Sequence, residues 1–502
     1  MIMNISPRRI PDLLLLFAIL WLANGIDFLS AEDLTENEAI HRLKFDLDRV
    51  FSDDRFSGAQ WGVQVYSLDR EEILYERGVT QLLIPASNTK IITAAVSLLR
   101  LSPDYRFRTI LLTDGDIKNG TLKGNLIVKG FGDPSITVKT PDEDPFQTFQ
   151  SWARMLKGKG IQKISGNILG DGSAFESSIL GHGWEWDDLT EGYAAPVSAL
   201  QFNGNRLWLE IHPTKRNSSG PATGILPLPL YWIVENELAV KTEADKPYID
   251  IVRNESDESI LVRGVIPPDR QVILKEVAIL DPVHWYLSAL KHVLEMEHVD
   301  VRSCSIQPVM RTSSQPLTPL VTHLSEPLSE ILKPMLKDSL NLHAETLIRV
   351  LGMELKGKGS FENGKEIVEE TLNNMAIDTN RYAYVDGSGL SRLNLVSADV
   401  LVHILRSMYR NPCFNYFYDA LAIAGQDGTL EKRLHEAGIE NNLRAKTGSL
   451  SGVSAISGYL KTSEDEMLAF SLIANNYLVP KSEVDAAQDK ALKILYRFTR
   501  DP

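Results

Sequence analysis

Ser87 and Lys90 stand three residues apart in PASNTKIITAAVSLLRL (85–101), at the head of an apolar run. On a helix, positions i and i+3 share a face, so this hydroxyl and this amine would point the same way. A serine hydroxyl becomes a strong nucleophile only when a base takes its proton. A lysine can be that base only when its charged form is disfavoured, by burial or by a second cation nearby. The apolar residues after Lys90 supply the first condition. The free amides at a helix start also favour negative charge developing at Ser87. The plainer alternative is a capping serine and a lysine that snorkels to water.

Two later stretches carry side chains that would complete such a site. RAKTGSLSG (444–452) holds Lys446, Thr447 and Gly448: a cation, a hydroxyl donor, and a residue without a side chain where a ligand would lie against a strand. A turn is the alternative there. MLKDSLNLHAETL (335–347) places Ser339 and Asn341 where one helix stops and the next begins, which a helix cap would also explain. Each pair is weak alone. Their order and spacing together are far more selective.

The elements that must position these residues read as follows. Residues 60–80 alternate around Asp69-Arg70 and predict an antiparallel hairpin, with the Ser87 helix directly after it. From about 106 to 309 the chain is rich in short alternating runs punctuated by Gly, Pro and Asn, such as GNLIVKGFG (124–132) and NRLWLEIHP (205–213). Helical texture returns at 283–297 and dominates from 324 to about 409. Residues 452–477 predict two strands joined by a polar turn, and a last amphipathic helix runs through 484–498. The simplest architecture is one mixed α/β domain made from both ends of the chain and interrupted by a β-rich insertion. If the N-terminal hairpin and the C-terminal strands share a sheet, the strand bearing 446–448 passes close to Ser87.

Composition suits a folded, enzyme-sized chain of two or three domains: 502 residues, 43% hydrophobic and 24% charged. A formal net charge of −14 argues against nucleic acid as a partner. Residues 1–9 carry Arg8 and Arg9, LLLLFAILWLA (13–23) is continuously apolar, and small residues follow at 23–25 and 30–31. That is the pattern of a secretory signal peptide over 1–31, cut after Gly25 or Ala31, and an uncleaved anchor is the alternative. No later stretch reaches membrane length. Cys304 and Cys413 are the only cysteines, leaving a single bridge and two buried thiols both open. His292, Glu295 and His298 have metal-like spacing on a helix, but no second group of ligands accompanies them, so a solvated face is favoured over a zinc site. No Gly-x-Ser-x-Gly elbow is present. DGSG (386–389) lacks the context of a phosphate loop and reads as a tight turn beside the site.

Taken in order, Ser87-x-x-Lys90, Ser339-x-Asn341 and Lys446-Thr447-Gly448 resemble the three signatures of penicillin-binding proteins and serine β-lactamases. The long insertion between the first two resembles the class C low-molecular-mass D-alanyl-D-alanine carboxypeptidases, the peptidase S13 family. GFGDPS (130–135), GWEWDDLTEGYAAPVSAL (183–200), DGSGLSRLNLVS (386–397) and AGQDGTLEKRL (424–434) are similar to that family as well, so the resemblance spans about 61–476. Leu340 departs from it, standing where relatives often carry Asp.

The resemblance implies an antiparallel sheet flanked by helices, formed by 32–106 and 310–502, with an insertion over 107–309 in two parts, about 107–204 and 205–309. It implies an exported, periplasmic serine carboxypeptidase and D,D-endopeptidase acting on peptidoglycan stem peptides through an acyl-serine, acylated by β-lactams and needing no metal or cofactor. Ser339 would relay a proton to the leaving amine, and Asn341 would hold Lys90 and the substrate carbonyl. Lys446 would supply positive potential, Thr447 and Ser449 would receive the terminal carboxylate, and the amides of Ser87 and Ser449 would hold the oxyanion. Arg392 matches an arginine near the site, with a buried ion pair as its alternative. Asp188 and Tyr193 match a pocket for the free amino end of a diaminopimelate side chain, with Asp187 as the competing acid. A serine β-lactamase and a catalytically silent peptidoglycan-binding scaffold are the competing functions. Monomer and homodimer are both left open.

Overall fold

The computed structural model describes residues 31–213, 221–227, 234–241, 248–253, 259–268, 271–308, 316–436 and 438–500. The predicted signal peptide lies, but for Ala31, outside the described residues. Among the described residues no helix is long and apolar enough to cross a membrane.

The strand Gln60–Ser67 is buried at all but its first position, which requires cover on both faces. It pairs antiparallel with Glu72–Arg77 on one side and with Met467–Asn475 on the other. Val453–Lys461, Leu443–Leu450 and the short Ala422–Ile423 complete a six-stranded sheet, so the two ends of the chain share one sheet. Alternate side chains feed two cores. Trp61, Val63, Val65 and Ile456 pack with the helices Ala31–Phe51 and Lys481–Tyr496 on one face. Tyr66, Tyr459, Ala469 and Ile473 face the helices Thr89–Leu101 and Ala398–Tyr409 on the other.

A third core spans Leu111 to Val321. It is organised by a five-stranded sheet in the order Ile306–Pro308, Ile168–Asp171, Leu126–Gly130, Arg106–Thr113, Thr318–Pro327, with Gln147–Gly158 and Pro282–Met296 packed against it. Helical structure does not begin at 324 as the sequence suggests. The strand Thr318–Pro327 continues through that point, because Val321, Ser325 and their neighbours complete the edge beside Arg106–Thr113.

Both cysteines are free thiols, Cys304 buried and Cys413 half-buried, so the bridge left open above is not formed. His292 packs against Phe146, and His298 lies past the helix end at φ 62°, so the metal-like trio does not share one helical face.

Candidate active site

The chain enters the site through a strained turn. Ala86 has φ 47°, and Ala86–Asn88 forms one turn of 3₁₀ helix that runs into Thr89–Leu101. Thr89 Oγ1 closes the turn by donating to Ala86 O at 2.9 Å. Gly389 is needed opposite it: a Cβ there would stand 1.9 Å from Ala86 O. Ser87 is left partly exposed, and Lys90 is fully buried behind it.

Lys90 Nζ lies 3.0 Å from Ser87 Oγ, 2.6 Å from Asn341 Oδ1 and 2.7 Å from Ser388 O. The last two oxygens can only accept. A neutral amine has two N–H groups and one lone pair, so with both N–H groups held by carbonyls the lone pair falls to the serine hydroxyl. Burial lowers the Lys90 pKa to about 7, with Asp386 and Glu345 pulling the other way. The apolar context therefore does to this lysine what the sequence suggests.

The strand Leu443–Leu450 closes over the turn. A Cβ on Gly448 would lie 2.6 Å from Pro85 O and 3.0 Å from Ser87 N, so the strand's backbone rests directly on the Ser87 turn. Lys446 is also fully buried and donates to Thr447 O at 2.7 Å. Burial pushes its amine well below the usual lysine range, and the neighbouring Lys90 pushes it further. Thr447 Oγ1 bonds Thr429 Oγ1 at 2.6 Å, and Ser449 is exposed at the strand's end.

Ser339 and Asn341 occupy the break between the helices Leu328–Lys337 and Asn341–Lys356, Ser339 with φ 64°. Asn341 spans the site: its Oδ1 faces Lys90 and its Nδ2 donates to Tyr193 O at 2.9 Å. No hydrogen bond joins the Ser339 hydroxyl to either lysine. Tyr193 donates its phenol to Asp188 Oδ1 at 2.5 Å, so of the two adjacent acids Asp188 is the one oriented toward it. Arg392 donates to Ser451 O at 2.9 Å, which replaces the ion pair offered as its alternative and anchors it beside the end of the closing strand.

Three residues that the sequence reading passed over complete the surroundings. Glu345 and Asp386 are fully buried acids whose carboxyls burial pushes up, Glu345 to about 7. Asn88 is buried with neither amide atom hydrogen-bonded, and its Nδ2 is 2.9 Å from where a Gly448 Cβ would be. Asp386 had a signal in the DGSG turn. Glu345 had none.

Comparison with known proteins decides the kinship. Residues 43–497 match the model of the D-Ala-D-Ala carboxypeptidase 3 (S13) family. The chain belongs to this family. A D-alanyl-D-alanine carboxypeptidase of Actinomadura sp. is 31% identical over 87% of this chain and 82% of its own length. The D-alanyl-D-alanine carboxypeptidase DacB of Haemophilus influenzae is 29% identical over 84% and 86%. The crystal structure of penicillin binding protein 4 (dacB) from Haemophilus influenzae superposes with a TM-score of 0.80 at 26% identity, covering 90% of this chain and 99% of that one. A structure of the same protein complexed with a β-lactam gives 0.74 at 25% identity, with the same coverage. As an S13 peptidase, the chain is a serine-type carboxypeptidase hydrolase of the penicillin-binding-protein fold.

Proposed function

We propose that the protein removes the terminal D-alanine of peptidoglycan stem peptides through an acyl-enzyme on Ser87. The observation that carries the reading is the 3.0 Å contact of the buried Lys90 Nζ with Ser87 Oγ, made while two carbonyls occupy the amine's remaining donors. Neutral Lys90 takes the hydroxyl proton as Ser87 Oγ bonds the carbonyl carbon of the penultimate D-Ala. The oxyanion is held by the amides of Ser87 and Ser449; one such donor typically contributes about 3 kcal/mol to the transition state. The C–N bond breaks, the leaving D-alanine nitrogen takes a proton by way of Ser339, and water then hydrolyses the ester. Thr447 and Ser449, backed by Lys446, receive the substrate carboxylate.

The same acyl group forms when the leaving amine belongs to a second stem peptide, so we extend the proposal to D,D-endopeptidase action on cross-links. Asp188 and Tyr193 supply an acid for the ammonium and an aromatic for the aliphatic stem of the diamino acid. Penicillins present a strained amide to the same serine, in keeping with the β-lactam complex of the Haemophilus relative. We read 32–106 and 310–502 as the catalytic domain and 107–309 as its insertion, with the strand Thr318–Pro327 crossing over to complete the insertion's sheet. The signal-like N-terminal pattern and this substrate support an exported enzyme acting in the periplasm.

Release of D-alanine from a stem pentapeptide, measured for the wild type and Ser87→Ala, tests the reading. Release by the wild type and none by the variant is expected. Equal release overturns it. No release by either protein would favour a binding scaffold, and rapid turnover of penicillin in place of its capture would favour a β-lactamase.

A further inference from the structure

Ser388 O, one of the two carbonyls holding Lys90, belongs to the peptide group whose N–H is that of Gly389. That N–H donates to Asp386 Oδ1 at 2.6 Å. One planar peptide therefore has the amine of Lys90 on its oxygen at 2.7 Å and a carboxylate on its nitrogen. We propose that Asp386 is a positioning residue for Lys90, which it aims and polarises through this single peptide group. The inference rests on the reading of Lys90 as the base for Ser87.

The surroundings suit an anion at this place. Asp386 has no exposed surface, yet four N–H groups point at it: Gly389 N, Ser391 N at 2.6 Å, Asn394 Nδ2 at 2.8 Å and Trp184 Nε1 at 3.0 Å. A carboxylate is an acceptor-only group and satisfies all four; a carboxamide would turn an NH₂ toward two of them. A hydrogen bond donated to a charged acceptor strengthens the peptide's dipole, making Ser388 O a better partner for a developing ammonium. Trp184 belongs to the 183–200 segment that also carries Asp188 and Tyr193. The carboxylate thus ties that segment to the base.

The neighbouring peptide is held in parallel. Ser388 N donates to Glu345 Oε1 at 2.8 Å, and Gly387 O accepts from Thr93 Oγ1 at 2.6 Å, beside the Tyr384 hydroxyl. The titratable groups around Lys90 are Asp386, Glu345, Lys446 and His343, the last held neutral by burial, with Arg349 3.6 Å from Glu345. Of these, the two acids favour the ammonium form of Lys90, which is the form proton transfer creates.

The test follows the rate of acylation by penicillin from pH 5 to 9 in the wild type, Asp386→Asn and Lys90→Ala. Loss of one close opposite charge shifts a pKa by about one unit or more. Asp386→Asn is therefore expected to move the midpoint of the acid limb about one unit lower and to reduce the plateau rate roughly three- to tenfold, because Lys90 becomes a weaker base. A smaller active fraction with an unmoved midpoint would overturn the inference alone. Acylation as fast in Lys90→Ala as in the wild type would overturn the base assignment and this inference with it. Because Asp386→Asn disturbs two donors, a measurement on the wild type stands beside it. With ¹⁵N-glycine labelling, the Gly389 amide proton should resonate far downfield and shift with pH at the acylation midpoint. An unshifted resonance across that range would contradict the proposal.

Discussion

Lys90 shows how one environment both weakens and recruits a side chain. Burial lowers its pKa to about 7, and only the neutral amine accepts a proton from Ser87. The acylation rate should therefore rise with pH through a midpoint near 7. Lys90→Ala should slow it by about 10²–10⁴-fold, the usual contribution of a positioned base. Lys90→Arg should do no better, since a guanidinium keeps its proton. The same burial has a stability signature. Folding lowers this pKa from 10.5 to about 7, so the folded state binds fewer protons between those values. The cost of burying the amine is complete below about pH 7 and fades as pH rises toward 10.5. The Tm of Lys90→Met relative to the wild type should therefore fall steadily from pH 7 to 10; a constant difference would refute the linkage. Ser87, Lys90 and Asn341 were legible because their spacing on local elements is itself the signal. Asp386 was legible only as part of a turn, and Glu345 not at all, since its partner Ser388 N lies 43 residues away in sequence.

The elements act through backbone contact. Gly448 lets the strand Leu443–Leu450 rest on the turn of Ser87, and the atoms a Cβ would strike include Pro85 O and Ser87 N, backbone atoms of that strained turn. Gly448→Ala should cost about 1–3 kcal/mol, the range for overpacking. It should slow acylation more than Tm alone would suggest; a variant that stays as fast as the wild type would mean the strand does not need to seat there. Asn341 joins three elements, so Asn341→Ala should slow acylation and also hasten proteolysis within 183–200, where Tyr193 O loses its donor. Unchanged cleavage would confine Asn341 to Lys90. The hairpin was readable from its alternation, the paired C-terminal strands from two apolar runs joined by a polar turn, and the helix break at 338–340 from its cap-like residues. The strand Thr318–Pro327 was missed because two of its residues are proline, which weakens a strand signal even at a sheet edge. The helix Ala31–Phe51 was passed over although Ala39, Leu43, Leu47 and Val50 mark one face.

At the scale of the molecule, both chain ends meet in one sheet with a core on each face, while the residues between them build a third core of their own. That arrangement lets Ser87 and Lys446 meet across more than 350 residues of sequence. No disulfide staples it. Reductant should leave the Tm unchanged, and a thiol reagent should reach Cys413 in the native protein but Cys304 only on unfolding; a Tm lowered by reductant would contradict the free thiols. Burial pushes both thiols up, so native labelling of Cys413 should be slow at neutral pH and quicken as pH rises. The central claim, an acyl group carried by Ser87 with Lys90 as its base, is tested most directly by intact-protein mass spectrometry after brief exposure to penicillin, followed by mapping of the modified peptide. One adduct on the peptide containing Ser87 is expected, absent in Ser87→Ala and strongly delayed in Lys90→Ala. An adduct elsewhere, or one formed as fast without the lysine, would contradict it.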